Sequence, residues 1–168
     1  MELRKIEEDL KKNEEIKNAE KHYLLVVYDK YNNKFLTYYD ENWDCYFIMN
    51  TKKKYNTGSL YELFSMLLDT NLDLCKERIK DVKYLKTYTF SKYCVPENKD
   101  KYYKHSYWQV LIEGFDEKET GTTFGRNGVR YKWLSLDEMI SDSNIRKKNS
   151  EVIRHLVEIK NESECLVK

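Results

Sequence analysis

The sequence predicts an α/β domain, strands packed by helices, with one separate helix ahead of it. Three observations carry this expectation. Residues 23–49 are dense in β-branched and aromatic side chains and open on an unbroken apolar run, Tyr23-Leu24-Leu25-Val26-Val27-Tyr28, as a strand buried on both faces would. Leu60, Leu63, Phe64, Leu67 and Leu68 then fall at i, i+3, i+4, i+7 and i+8, the stripe of an amphipathic helix. Residues 82–113 return to strand patterning on either side of a polar loop, so they read as a hairpin.

Taken in order, residues 1–21 alternate charges with sparse apolar positions. Leu3, Ile6 and Leu10 keep a 3–4 spacing that Asn13 continues, which marks a thin-striped helix. It either packs on its own domain or serves as a linker, stalk or dimerising helix. The run 23–28, a turn over Lys30-Tyr31-Asn32-Asn33-Lys34 and Phe35–Tyr39 form a first hairpin, because Asn tolerates the left-handed conformation. Trp43–Met49 is a third strand. Gly58 loosens the loop before the helix at 59–68, and Ser59 with Glu62 has capping-box spacing ahead of the stripe. After the hairpin, Gly114–Gly128 reads as a glycine-bearing loop and Val129–Leu134 as a last strand. Ser135 and Glu138 open a short helix, and Ile145, Val152, Ile153, Leu156 and Val157 mark a final one. The expected organisation is a charged helix over 1–21, the domain over 22–160 and a tail over 161–168.

Bulk properties narrow the function. With 168 residues, 40% hydrophobic and 14% aromatic, the chain suffices for one domain. Its charged fraction of 35% nearly cancels to +1, so no global field points to long nucleic acid, and any anion site must be a local cluster. Cys45, Cys75, Cys94 and Cys165 form no CxxC pair and no metal-ligand spacing with His22, His105 or His155, so reduced thiols in a cytoplasmic protein are expected. No apolar run approaches the ~20 residues that span a bilayer.

The element order and two local stretches resemble the Nudix fold, an α/β/α sandwich with a mixed sheet. Trp43-Asp44-Cys45-Tyr46-Phe47-Ile48-Met49-Asn50 stands where that family has W-x-(h)-P-G-G. Arg130-Tyr131-Lys132-Trp133-Leu134-Ser135-Leu136-Asp137-Glu138 resembles its (h)-x-W-(h)-(S/T)-(h)-(D/E)-E. Active members carry R-E-x-x-E-E on the helix that follows, and its carboxylates hold magnesium, a hard cation that takes oxygen ligands. Ser59–Asp69 departs from this: Glu62 is the carboxylate in its body, and the Gly-Gly turn is missing. The chain is similar to the degenerate SMODS-associated Nudix domains found beside cyclic-oligonucleotide synthases in bacterial anti-phage (CBASS-type) signalling. That resemblance implies a non-catalytic sensor of a cyclic di- or trinucleotide. It also implies an effector that clusters as a homo-oligomer and is tethered to the inner membrane by transmembrane segments ahead of this chain. The competing reading is a divergent magnesium-dependent hydrolase of nucleoside diphosphate derivatives using Glu62, Asp69, Glu77 or Asp81.

A nucleotide offers flat bases that stack on aromatic rings and phosphates that favour arginine. Three stretches interleave such residues. Lys101–Trp108 is either part of the site or a hairpin of solvated charges and ordinary core aromatics; alternation sets Tyr103, His105 and Tyr107 on one face and Tyr102, Lys104 and Trp108 on the other. Gly125–Arg130 is either an anion-binding loop, with Arg126 and Arg130 supplying charge, or a plain β-turn. Lys52-Lys53-Lys54-Tyr55 is either part of the site or a solvated lysine run. Trp43 and Tyr46 flank the same pocket or pack in the core, and Trp133 is core. The candidate ligand-binding residues are therefore Tyr46, Tyr103, His105, Trp108, Arg126 and Arg130. His22 and His155 have no evident partner. No catalytic residue, metal ligand or cofactor is expected.

Overall fold

The computed structural model describes residues 2–52, 59–94 and 96–162. Lys53, Lys54, Tyr55 and Gly58, and in the tail Cys165 with the rest of 163–168, lie outside them. The chain begins with helix α1 (Glu2–Lys17), which buries none of its side chains. Strands β1 (Glu20–Val26), β2 (Tyr28–Asp29), β3 (Lys34–Asp40), β4 (Cys45–Ile48) and β5 (Asn50–Lys52) follow, then helix α2 (Leu60–Leu72). A short 3-10 turn leads into the long hairpin of β6 (Ile79–Cys94) and β7 (Lys99–Ile112). A one-turn helix α3 (Glu117–Thr120), strands β8 (Thr123–Arg126) and β9 (Val129–Leu134), and helices α4 (Leu136–Ser141), α5 (Ser143–Lys148) and α6 (Ser150–Asn161) complete the fold.

Two sheets form. The first has the order β5-β1-β7-β6, with β1 parallel to β7 and the other pairs antiparallel. The second is antiparallel, in the order β2-β3-β9-β8, with β4 also on β3. The expected first hairpin is only partly realised. β1 belongs to one sheet and the short β2 to the other, with Val27 as the joint; Val27 O still accepts from Leu36 N at 2.9 Å. Buried Asp29 accepts from Tyr31 N, Asn32 N, Asn32 Nδ2 and Glu117 N, so the turn is anchored and the strand before it is free to diverge. Asn33 takes the left-handed conformation the turn requires (φ 56°).

The apolar run is buried on both faces, as its composition predicts. Leu24 and Val26 join Tyr107, Leu136, Ile145, Leu156 and Ile159 under the C-terminal helices. Leu25 and Val27 join Leu63, Phe64, Leu68 and Trp133 under α2. The molecule is thus an α/β/α sandwich with a mixed sheet, preceded by an N-terminal helix.

Three further expectations are corrected. Trp43 and Asp44, expected to open the third strand, lie in the 41–44 turn: Asp40 Oδ1 accepts from Asn42 N and Trp43 N, which ends β3 and leaves Trp43 54% exposed. The Gly114–Gly128 loop holds α3, capped by Asp116, and β8, which folds onto β9 through Asn127 and Gly128 at φ 51° and 77°. The final helix is split at Asn149, whose buried amide donates to Cys45 Sγ. Ser59 caps α2 by accepting from Glu62 N, and Ser135 with Glu138 forms both halves of a capping box on α4. Cys45, Cys75 and Cys94 are free thiols. Among the described residues no helix is long and apolar enough to cross a membrane.

Candidate ligand-binding site

The parallel β1–β7 register decides which residues meet. It sets His22 beside His105, Glu20 beside Tyr103 and Leu24 beside Tyr107. Across the hairpin, His105 faces Tyr88, Tyr103 faces Phe90 and Lys101 faces Lys92, while His22 faces Lys52 on β5. Opposed residues share a face of a sheet, so one surface carries the row Lys52–His22–His105–Tyr88, then Glu20–Tyr103–Phe90, then Lys101–Lys92. The N-terminal turns of α6 close one side of it. His155 lies flat on Tyr88, with centroids 3.8 Å apart and planes 7° apart, and Glu151 reaches Lys92 at 3.6 Å.

All three histidines of the chain therefore converge: His22 and His105 centroids are 5.4 Å apart, His105 and His155 6.3 Å. Phe90 meets His105 edge-on at 4.8 Å and lies nearly parallel to Tyr103 at 5.7 Å. Burial, then the neighbouring His22 and His155, push the His105 pKa down to about 3. Burial, reinforced by Arg154, lowers His155 to about 4. Burial also lowers His22, although Glu20 opposes it. Tyr107, buried and pushed well above the ordinary phenol range, shares a 2.8 Å hydrogen bond with His155 Nδ1. His105 Nδ1, by contrast, is shut off from solvent with no hydrogen-bond partner among the described residues.

Charge gathers at the rim. Glu20 pairs with Lys52, with Lys101 at 3.2 Å and with His22 at 3.5 Å. Burial pushes its carboxyl up, but the hydrogen bonds from the two lysines outweigh this and hold it below the ordinary carboxylate range. Two of the three stretches singled out in the sequence, 101–108 and the start of 52–55, thus meet on one surface.

The remaining candidates lie elsewhere. Trp108 points to the opposite face, against Phe64 of α2 at 6.0 Å and Tyr84 at 5.1 Å. Arg126 donates to Leu72 O at 3.0 Å over the rings of Phe115 and Phe124. Asn127 Nδ2 donates to Thr70 O and Tyr131 Oη to Asn71 O, while Asp73 N donates to Asp69 O. The β8–β9 hairpin therefore satisfies the carbonyls that the end of α2 leaves unpaired. Arg130 covers Tyr39 at 4.2 Å, and Tyr39 meets Tyr46 edge-on at 5.3 Å, a separate patch on the second sheet. Of the six candidates, Tyr103 and His105 come together on the first sheet, and Arg130 and Tyr46 flank Tyr39 on the second. His22, Phe90, His155, Glu20 and Lys52 complete the surroundings of Tyr103 and His105. Period-2 alternation could nominate Phe90, but nothing local in the sequence pairs β1 with a strand some 80 residues on.

No protein-family model matches the sequence, and no curated protein does either. Solved structures do. The E. coli dihydroneopterin triphosphate pyrophosphohydrolase superimposes with a TM-score of 0.55 at 12% identity, over 83% of this chain and 97% of that one. The NUDIX domain of Shewanella oneidensis NrtR, complexed with ADP ribose, gives 0.54 at 10% identity, over 83% and 87%.

The fold is Nudix-like. The C. elegans Ap4A hydrolase agrees, at a TM-score of 0.50 and 12% identity over 84% of this chain and 98% of that one. In the Nudix arrangement that the sequence resembles, magnesium sits on the helix equivalent to α2. Here Glu62 and Asp69, the carboxylates of Leu60–Leu72, are seven residues apart. That separation is ~10 Å along the axis, whereas magnesium–oxygen bonds are about 2.1 Å. Glu77 and Asp81 are exposed beyond the helix. No three His, Cys, Asp or Glu side chains among the described residues are placed to share an ion. The side chains of α2 do not fit a Nudix magnesium centre.

Proposed function

We propose that this domain binds a nucleotide without hydrolysing it, with a base held against Tyr103, Phe90 and His105 on the exposed part of the first sheet. The observation that carries the reading is the half-buried row of Tyr103, Phe90 and His105 rings beside a rim that bears Lys52 and Lys101. The ring faces supply stacking worth ~1–3 kcal/mol per base. A phosphate would replace Glu20 as the partner of Lys52 and Lys101. The preference for binding over hydrolysis rests on the acid-poor α2.

The finer reading is a cyclic di- or trinucleotide second messenger sensed in a CBASS-type anti-phage system, by the cytoplasmic part of a tethered, clustering effector. It rests on the similarity to the degenerate SMODS-associated Nudix domains, which the acid-poor Ser59–Asp69 stretch suggests. Thermal shift against cyclic di- and trinucleotides, ADP ribose and diadenosine tetraphosphate tests it, with chromatography of each mixture after incubation with magnesium. A cyclic oligonucleotide at a hundredfold excess over its dissociation constant adds ~2.7 kcal/mol of stability. It is recovered intact, and Tyr103→Ala weakens its binding about tenfold or more. Turnover of any of these compounds with magnesium would replace the sensor reading with that of a divergent hydrolase.

A further inference from the structure

We propose that α1 is a docking helix for a partner helix with basic flanks, and that it pairs neither with a second copy of itself nor with an anionic membrane surface. Leu3, Ile6 and Leu10 are 78%, 54% and 63% exposed along a helix that buries no side chain. A helix of 16 residues, ~24 Å long, is marginal in water without a covered apolar face. The body of the domain does not cover it: the first buried side chain after the helix begins is Ala19, beyond its end.

The charges around the stripe identify what does. With Leu3 and Leu10 at heptad position a and Ile6 and Asn13 at d, the flanking g positions are Glu2 and Asp9 and the e positions are Glu7 and Glu14. Both rims of the seam are acidic over its first two heptads. The cations Arg4, Lys5, Lys11 and Lys12 lie on the far side, where Arg4 pairs with Glu8 at 3.6 Å. Charges at e and g choose coiled-coil partners. In a parallel self-pair Glu2 would face Glu7 and Asp9 would face Glu14. In an antiparallel one, e faces e and g faces g. Either arrangement sets carboxylate against carboxylate beside an apolar contact too short to outweigh it. An anionic bilayer meets the same acidic rims. A helix with leucine or isoleucine in its seam and lysine or arginine beside it meets both the stripe and the rims with matching chemistry.

The test uses two three-heptad synthetic peptides with leucine and isoleucine at a and d, one with lysine and one with glutamate at e and g. It adds sedimentation of the domain alone and flotation with phosphatidylcholine–phosphatidylglycerol vesicles. The lysine-flanked peptide binds at least about tenfold tighter than the glutamate-flanked one, and less tightly as salt rises. Ile6→Ser with Leu10→Ser abolishes that binding without moving the unfolding temperature, since both positions are exposed. A variant carrying Glu2→Lys, Glu7→Lys, Asp9→Lys and Glu14→Lys reverses the preference. Three results overturn the proposal: a dimer dissolved by the serine pair, flotation with the vesicles, or failure of the domain to distinguish the two peptides.

Discussion

His105 is held neutral by its surroundings, and that has a measurable cost in acid. Its pKa of about 3 and that of His155, about 4, lie below the ordinary histidine value of 6.5. Above pH 6.5 both rings are neutral whether the chain is folded or not, and their contribution to stability is complete. As pH falls through 6.5, the unfolded chain takes up protons that the folded chain refuses, so stability declines until the folded pKa values are reached. The loss is on the order of 2 kcal/mol per histidine by pH 4.5. Glu20, with its lowered pKa, stabilises the fold above its ordinary value of 4.5 and fails only below it, so the decline between pH 6.5 and 5 belongs to the histidines. Urea unfolding across that range measures it. His105→Phe should remove about one proton from the slope; an unaltered slope would assign the acid sensitivity to other groups.

At the scale of elements, the end of α2 is closed carbonyl by carbonyl. Asp73 N, Asn127, Tyr131 and Arg126 serve the carbonyls of residues 69, 70, 71 and 72 in turn. A cation at a helix C-terminus is favoured by the aligned peptide dipoles as well as by the bond it donates. Arg126→Ala therefore costs about 1–3 kcal/mol of stability and leaves nucleotide affinity unchanged, with unfolding midpoints and isothermal titration as readouts. A loss of affinity with stability intact would return Arg126 to the ligand site. Gly125–Arg130 left its role open in the sequence, because a glycine-rich turn bearing arginine suits an anion and a helix end equally. Both are clusters of partial negative charge, and only the packing of β8–β9 against α2 separates them. The N-caps, by contrast, were legible, because Ser59 and Ser135 accept from Glu62 N and Glu138 N within one turn of chain.

For the whole molecule, α1 gives the body no fully buried side chain and meets it at β7, with Ile16 half-buried. Removing residues 1–18 takes away no buried side chain, so the unfolding temperature shifts by no more than about 2 °C. Calorimetry checks this, and a larger drop would mean that α1 is packed on the domain. The sequence by itself determined α1, α2, the long β6–β7 hairpin and β9, and the two-faced burial of the sheet: Leu24–Val27 alternate between the two cores just as an unbroken apolar run requires. It also determined that α2 lacks clustered carboxylates, since composition needs no folding to be read. Tertiary structure alone decided that Val27 joins two sheets and that His22, His105 and His155 share one surface. It also decided that Arg126 serves a helix end. The reason is range: periodicity and capping act over one or two turns, whereas the β1–β7 register joins Glu20 to Tyr103 through backbone hydrogen bonds, which carry no side-chain signature.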